Sequence, residues 1–427
     1  HPVRELTVRP LARGVQAVPD GNTAAVTLPA PGAYTVEADG YHQALHVFFD
    51  PIRDFPAVAH GKAHILSFGP GVHEIGCMDL DSDTVVLIDR DAYLYGSFRA
   101  VCAENIDIFG YGVIDGSREV RTDESRLLLN DYTAPLPADR ENILRRLKQR
   151  HVLDGILRFY RCRHIRVEGP TLRDAATFAV IPAGCEDVTL ENLKTIGMWR
   201  YNADGIDLFN CRDVRIRNCF LRNFDDCVVI KGIVGWDTAD NADILVEGCV
   251  VWCDWGRNLE LGAETNAPAF RNILFRNCDC IHGSTAFLDI QHHNRADIGQ
   301  VTFEDIRVEY TKHQLPDVFQ NDMDAPYPTD TPVRHPLLFC LPIYRSGLFA
   351  EDGLNGQIHD ITFRNIRILT DAPEVPVPES AFLGLDAEHT VERICIAGVT
   401  CNGKRLATRE ELRLHINEFV RDVTILP

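Results

Sequence analysis

Several features are scarce or missing in this chain, and each absence removes a class of function. No stretch of its 427 residues approaches the run of about 18 apolar residues that a membrane helix needs, so no membrane partner is expected. There are no basic runs, and the formal net charge is −19, which argues against nucleic acid and anionic membranes. No Cys-x-x-Cys pair recurs at zinc-binding spacing among the 14 cysteines, so neither a structural metal nor a cofactor is expected. His1 to Arg13 carry neither the basic start nor the apolar block of a leader. Segments of helical period are also missing between the apolar runs.

What is present is a short repeat. An apolar residue, any residue, a second apolar residue, any residue and a turn residue recur along the chain. The pattern reads Ile106-Asp107-Ile108 with Gly110, Ile165-Arg166-Val167 with Gly169, and Val188-Thr189-Leu190 with Asn192. It continues at Val214, Ile244, Ile273, Val301, Ile361 and Ile394, closing on Asn218, Gly248, Asn277, Asp305, Asn365 and Gly398. From 165 to 301 the starts lie at 165, 188, 214, 244, 273 and 301, intervals of 23 to 30 residues. The gaps from 106 to 165 and from 301 to 361 fit two coils each, or one coil with a long loop. Alternation with a period of two marks strands, and Gly, Asn and Asp accept a left-handed turn. Short strands at this spacing predict an all-β fold, a parallel β-helix, because each coil buries its apolar face only on its neighbours.

The cysteines fall into this frame. Cys219, Cys249 and Cys278 take the slot that Leu193, Ile306, Ile366 and Val399 take elsewhere, and Cys162, Cys185 and Cys211 share another. Thiols in aliphatic slots read as small core hydrophobes rather than disulfides, which leans weakly to a reducing compartment.

A second ladder predicts the stack Phe178-Ala179-Val180, Ile206-Asp207-Leu208, Val228-Val229-Ile230, Leu259-Glu260-Leu261 and Leu288-Asp289-Ile290. Its middle residues should point outward along one face. Residues 1–52 read as a small β-sandwich-like module capping the solenoid, 53–403 as the β-helix and 404–427 as a C-terminal cap. Segments 117–155 and 310–357 break the repeat, and loops of that length are expected to wall a cleft.

The chemistry is expected where the second ladder meets its turns. Asn202-Ala203-Asp204-Gly205-Ile206-Asp207 opens one coil and Asn223-Phe224-Asp225-Asp226-Cys227 the next. Asp204 and Asp226 each precede their strand by two residues, so they should stack with Asp225 beside them. Crowded carboxylates raise at least one pKa, as a general acid requires, and glycoside hydrolysis needs one protonated and one ionised carboxyl. Strand-capping turns and a calcium site are the competing readings of the same residues. Trp199, Tyr201, Phe224, Trp236, Trp252 and Trp255 lie close in sequence, and flat rings suit sugar faces.

These motifs resemble the polygalacturonase family, glycoside hydrolase family twenty-eight, whose signature is Asn-Thr-Asp, Asp-Asp, Gly-His-Gly and Arg-Ile-Lys. Asn202-Ala203-Asp204 and Asp225-Asp226 match the first two. The resemblance implies a right-handed parallel β-helix, with Asp225 as general acid and Asp204 and Asp226 activating water for inversion. It also leans to a secreted protein. Gly256-Arg257-Asn258 and Asp289-Ile290-Gln291 stand where the other two motifs belong. The family's Arg and Lys hold a sugar carboxylate, and an Asp in the Arg position repels one. A neutral or weakly charged glycan is therefore expected, as for the related dextranase and isopullulanase family. Lys231, Arg257, Glu260, Glu264, Asp289, Gln291, His292 and His293, with Asn202, Trp199, Tyr201 and Trp255, are the candidate sugar-binding residues. A transferase, lyase or epimerase using the same groove, or a non-catalytic carbohydrate-binding solenoid, are the alternatives.

Overall fold

The computed structural model describes residues 3–41, 44–55, 64–119, 141, 155–236, 238–311, 334–347, 352–372 and 374–427. Most of the two long segments expected to wall the cleft, 117–155 and 310–357, lies outside the described residues.

The chain winds into a parallel β-helix with three strands per coil. The first strand of each coil joins a twelve-stranded parallel sheet, from His64–Phe68 at one end to Val420–Leu426 at the other. The repeat read in the sequence is its register. Ile106 pairs with Ile165, then Val188, Val214, Ile244, Ile273, Val301, Ile361 and Ile394 follow rung by rung. Both long gaps are one coil carrying a loop, since 106 pairs directly with 165 and 301 with 361. The turn residues sit where their backbone freedom is used: φ is 54° at Asn192, 55° at Asn218, 53° at Asn277 and 56° at Asn365. At Gly110 a Cβ would stand 1.8 Å from the Ile88 carbonyl oxygen, so only glycine fits that close approach.

The core is filled by the inward residues of these strands. Phe275, Phe303 and Phe363 stack at 4.8 and 5.2 Å between centroids. The thiols of Cys219, Cys249 and Cys278 occupy the same buried column as Leu193, Ile306, Ile366 and Val399. None of the fourteen cysteines forms a disulfide.

The second strands of the middle coils are short and pack beneath the N-terminal module. That module is a three-stranded antiparallel sheet, Leu6–Arg9, Gly32–Ala38 and Ala44–Phe49, with a hairpin at 17–26. It does not sit on the solenoid's end, as a cap would. It lies on the flank, with Phe48, Ala33, Tyr41 and Ala44 against Phe220, Val250, Trp252 and Ile281. The expected C-terminal cap is instead the last coil. Leu414–Ile416 and Val420–Leu426 extend two of the parallel sheets, because Val423-Thr424-Ile425 repeats the apolar alternation.

The third strands form the sheet that carries the acids. Val180, Ile206, Val228, Leu259 and Leu288 are in register. The first triplet was expected from Phe178, two residues too early. The run Phe178 to Ala183 is apolar throughout, so alternation cannot fix its register there. The middle residues keep the expected column, Asp207, Val229, Glu260 and Asp289, followed by Cys340. They are not solvent-exposed, however: Asp207 and Glu260 are 0% exposed and Asp289 2%.

Candidate active site

Two successive turns deliver the acids. Asn202 takes a left-handed backbone (φ 57°), and the Ala203 amide bonds the Arg200 carbonyl at 2.9 Å, which turns Asp204 into the acid sheet. The Gly205 amide donates to the Asp226 carbonyl at 2.8 Å, and the Cys227 amide to the Arg257 carbonyl at 2.9 Å. Three turns are thereby stacked rung on rung, and Asp204, Asp225 and Asp226 come together as expected. All three are buried, at 1%, 4% and 6% exposure. Gly256 closes the stack. A Cβ there would lie 2.3 Å from an Asp225 carboxylate oxygen and 2.4 Å from one of Asp226, so the third turn can approach the acids only as glycine.

Two cations divide the acid cluster. Lys231 Nζ lies 3.3 Å from Asp204 Oδ2, 3.3 Å from Asp207 Oδ1 and 3.7 Å from Glu264 Oε2. Arg257 Nε lies 3.2 Å from Asp289 Oδ2 and 3.8 Å from Glu260 Oε1, while its amide donates to Asp226 Oδ1 at 2.8 Å. Seven carboxyl groups, Asp204, Asp207, Asp225, Asp226, Glu260, Glu264 and Asp289, thus surround two positive charges. Burial is the main force on the titration of Asp204, Asp207, Asp225, Glu260 and Asp289, since it penalises the charged form. It lifts the Asp204 carboxyl well above the usual range, helped by Asp207 and opposed by Lys231. Asp225 rises well above its ordinary value through burial, then through Asp226 and Asp204. Asp207 is pushed up to about 7 by burial against the pull of Lys231. Asp289 rises to about 6, burial again outweighing Arg257.

The aromatic neighbours divide into two groups. Trp255 stacks on Phe224 at 5.9 Å and tilts against Tyr201 at 5.6 Å. Beside them opens a cleft of about 390 Å³, lined by Trp255, Arg257, Ser284, Thr285, Arg334 and His335. Trp236 and Trp252 are elsewhere, the first stacked near Tyr160 and the second under the N-terminal module. Trp199 is 40% exposed, with the Arg200 guanidinium over its ring at 5.6 Å. Gln291 faces outward and bonds His293 at 3.0 Å, and His293 stacks on Tyr344 at 4.5 Å. His292, expected at the sugar, is fully enclosed with its Nδ1 against Thr265 at 2.8 Å. Strand alternation turns it inward between Gln291 and His293.

Asp207 was placed on the outward column by the sequence but not counted in the site. Its place in one column with Glu260 and Asp289 was the available signal. Arg334 gave none: it follows a long break in the repeat, yet it lies over the Trp255 ring at 5.3 Å and donates to the Thr285 hydroxyl at 2.7 Å. Among the described residues no group of three His, Cys, Asp or Glu is arranged to hold a metal ion.

Fold and site together define a parallel β-helix with an acid cluster on one face. Residues 142–332 match the model of Glycosyl hydrolases family 28, a segment that contains Asp204, Asp225 and Asp226. A dextranase from Arthrobacter globiformis is 22% identical over 277 residues, 58% of this chain and 40% of that protein. The chain therefore spans less than half the length of this relative. Among solved structures, Dex49A from Penicillium minioluteum aligns with a TM-score of 0.61 at 12% identity, covering 98% of this chain and 78% of that one. The Yersinia enterocolitica family 28 exopolygalacturonase aligns at 0.51 with 15% identity, covering 94% and 85%. These likenesses show the fold, a right-handed parallel β-helix.

Proposed function

We propose that the protein is an inverting glycoside hydrolase that acts on a neutral or weakly charged oligo- or polysaccharide. The observation that carries this reading is the stacking of two acidic turns on successive rungs, inside the segment that matches family 28. Asp225 is the general acid: burial and two neighbouring carboxylates keep its proton on, and no cation lies within ion-pair distance of it among the described residues. Asp204, held by Lys231, and Asp226, held by the Arg257 amide, activate water on the opposite face of the sugar.

The neutral substrate is supported by what faces the sugar. Asp289 and Gln291 occupy positions where a uronate-binding site carries positive charge, and Arg257 is already shared among Asp226, Glu260 and Asp289. Trp255, backed by Phe224, offers a ring to a sugar face.

The test is a panel of neutral glycans, including dextran, together with polygalacturonate. Cleavage confined to neutral glycans and lost in Asp225→Asn is the expected result. Preferred cleavage of polygalacturonate overturns the substrate class, and no cleavage of any glycan overturns the hydrolase reading.

A further inference from the structure

Lys231 was expected among the sugar contacts. Its surroundings assign it a different task. The side chain is 7% exposed and its ammonium group is enclosed on several sides. Asp204 approaches from the turn ahead of its strand, Asp207 from the strand Ile206–Phe209, and Glu264 from the strand Arg257–Thr265. The Phe178 ring covers it at 4.6 Å from its centroid. Asp226 adds its charge from the neighbouring turn. Arg257 and the Asp225 carboxyl lie on the far side of the same cluster.

We propose that Lys231 is a positioning residue that fixes the charge and orientation of Asp204, and so sets the state of the group that activates water. This rests on the reading of Asp204 as that group. The sequence places Lys231 on the rung directly after Asp225-Asp226, so one short strand carries both the acidic turn and the cation that holds the turn above it.

The physical argument is one of balance. A buried ammonium ion is costly unless paired, and so are buried carboxylates. At 3.3 Å from both Asp204 and Asp207, Lys231 compensates at least one negative charge between them. Burial alone would drive its proton off, but Glu264, Asp204, Asp207 and Asp226 hold it on. Remove the ammonium and nothing else within ion-pair distance of Asp204 or Asp207, among the described residues, replaces it. Asp204 and Asp207, whose titration burial already raises, then take up the one proton the pair still lacks, and no negative charge is left for Asp204 to use as a base.

The experiment compares the whole chain with Lys231→Met and Lys231→Arg by potentiometric titration of the folded state from pH 5 to 8, with melting followed at each pH. Lysine stays charged across this window in the native protein, so its removal changes no proton count by itself. The expected result is that Lys231→Met binds about one additional proton near pH 7 while Lys231→Arg titrates as the native chain does. A Lys231→Met protein that melts lower but titrates like the native chain overturns the proposal, because that is the behaviour of a purely structural tie. An Arg variant that titrates like Met also overturns it. The titration needs no substrate, so a failure to cleave any glycan leaves its outcome readable. With a cleaved glycan from the panel in hand, the acid limb of kcat/KM moves to higher pH in Lys231→Met; an unmoved limb contradicts the link to Asp204.

Discussion

On the twelve-stranded sheet, Arg217, Glu247, Arg276, Glu304 and Arg364 follow one another on successive rungs. They alternate in sign and are all partly open to solvent, from Glu304 at 22% to Arg364 at 51% exposure. On the acid sheet of the same coils, Asp207, Glu260 and Asp289 share a column of one sign and are almost fully buried. The backbone is the same in both places, a parallel ladder in strict register. The exposed column therefore shows what charges do when they serve the fold: opposite signs adjoin and water screens them. The buried column sets charges together at a cost in stability, which is the usual mark of a site that spends stability on function.

The largest effect is expected from the buried acids. Asp225→Asn should lower kcat by about 10²- to 10⁴-fold, the usual share of a general acid, with melting unchanged or raised. Turnover on the glycan panel and a thermal melt check both halves. The opposite pattern, a loss of stability without catalytic meaning, is expected in the core under the other sheet. Phe303→Ala removes the middle ring of the Phe275–Phe303–Phe363 stack and should cost about 3–5 kcal/mol in chemical denaturation.

The pH dependence of stability should have opposite signs on the two sheets. Asp207 titrates near 7 when folded against about 3.9 unfolded, so its contribution is fully present below about pH 4 and is lost as pH rises through about 7. Asp289 behaves likewise through about 6. Asp360, on the twelve-stranded sheet, is held down to about 2, chiefly by hydrogen bonds from Arg393, and contributes above about pH 4 and is lost only in stronger acid. Asp207→Asn should flatten the fall in melting temperature between pH 5 and 8. Equal slopes in the native and Asn proteins would contradict this. The smallest effect belongs to the exposed column. Arg276→Ala should cost under about 1 kcal/mol, and that cost should shrink further at high salt.

The repeat sheet was legible because its strands alternate cleanly and its turns use Asn, Asp and Gly. A second left-handed position, just ahead of each of these strands, was legible only in part. Asn105, Asp187, Asp213, Asp243, Asn272, Asp360 and Asp422 fill it, but so do His164, Gln300 and Arg393, with φ between 51° and 61° throughout. The acidic turns were legible because Asp204 and Asp226 stand at the same offset from their strands. Their burial was not, because it depends on Lys231 and Arg257 folding back over their own ladder. The N-terminal module's place on the flank was equally hidden. It depends on Arg9 and His282 meeting Glu37, residues 28 and 245 positions away from it, with Glu309 of the solenoid completing the contact. Nothing local in the sequence records such meetings.

The most direct test of the central claim is the anomeric form of the first sugar released from a cleaved neutral glycan, followed by proton NMR before mutarotation. The stacked Asp204, Asp225 and Asp226 predict a product of inverted configuration. A product of retained configuration would contradict the account, because it requires one of these carboxylates to attack the sugar directly instead of activating water.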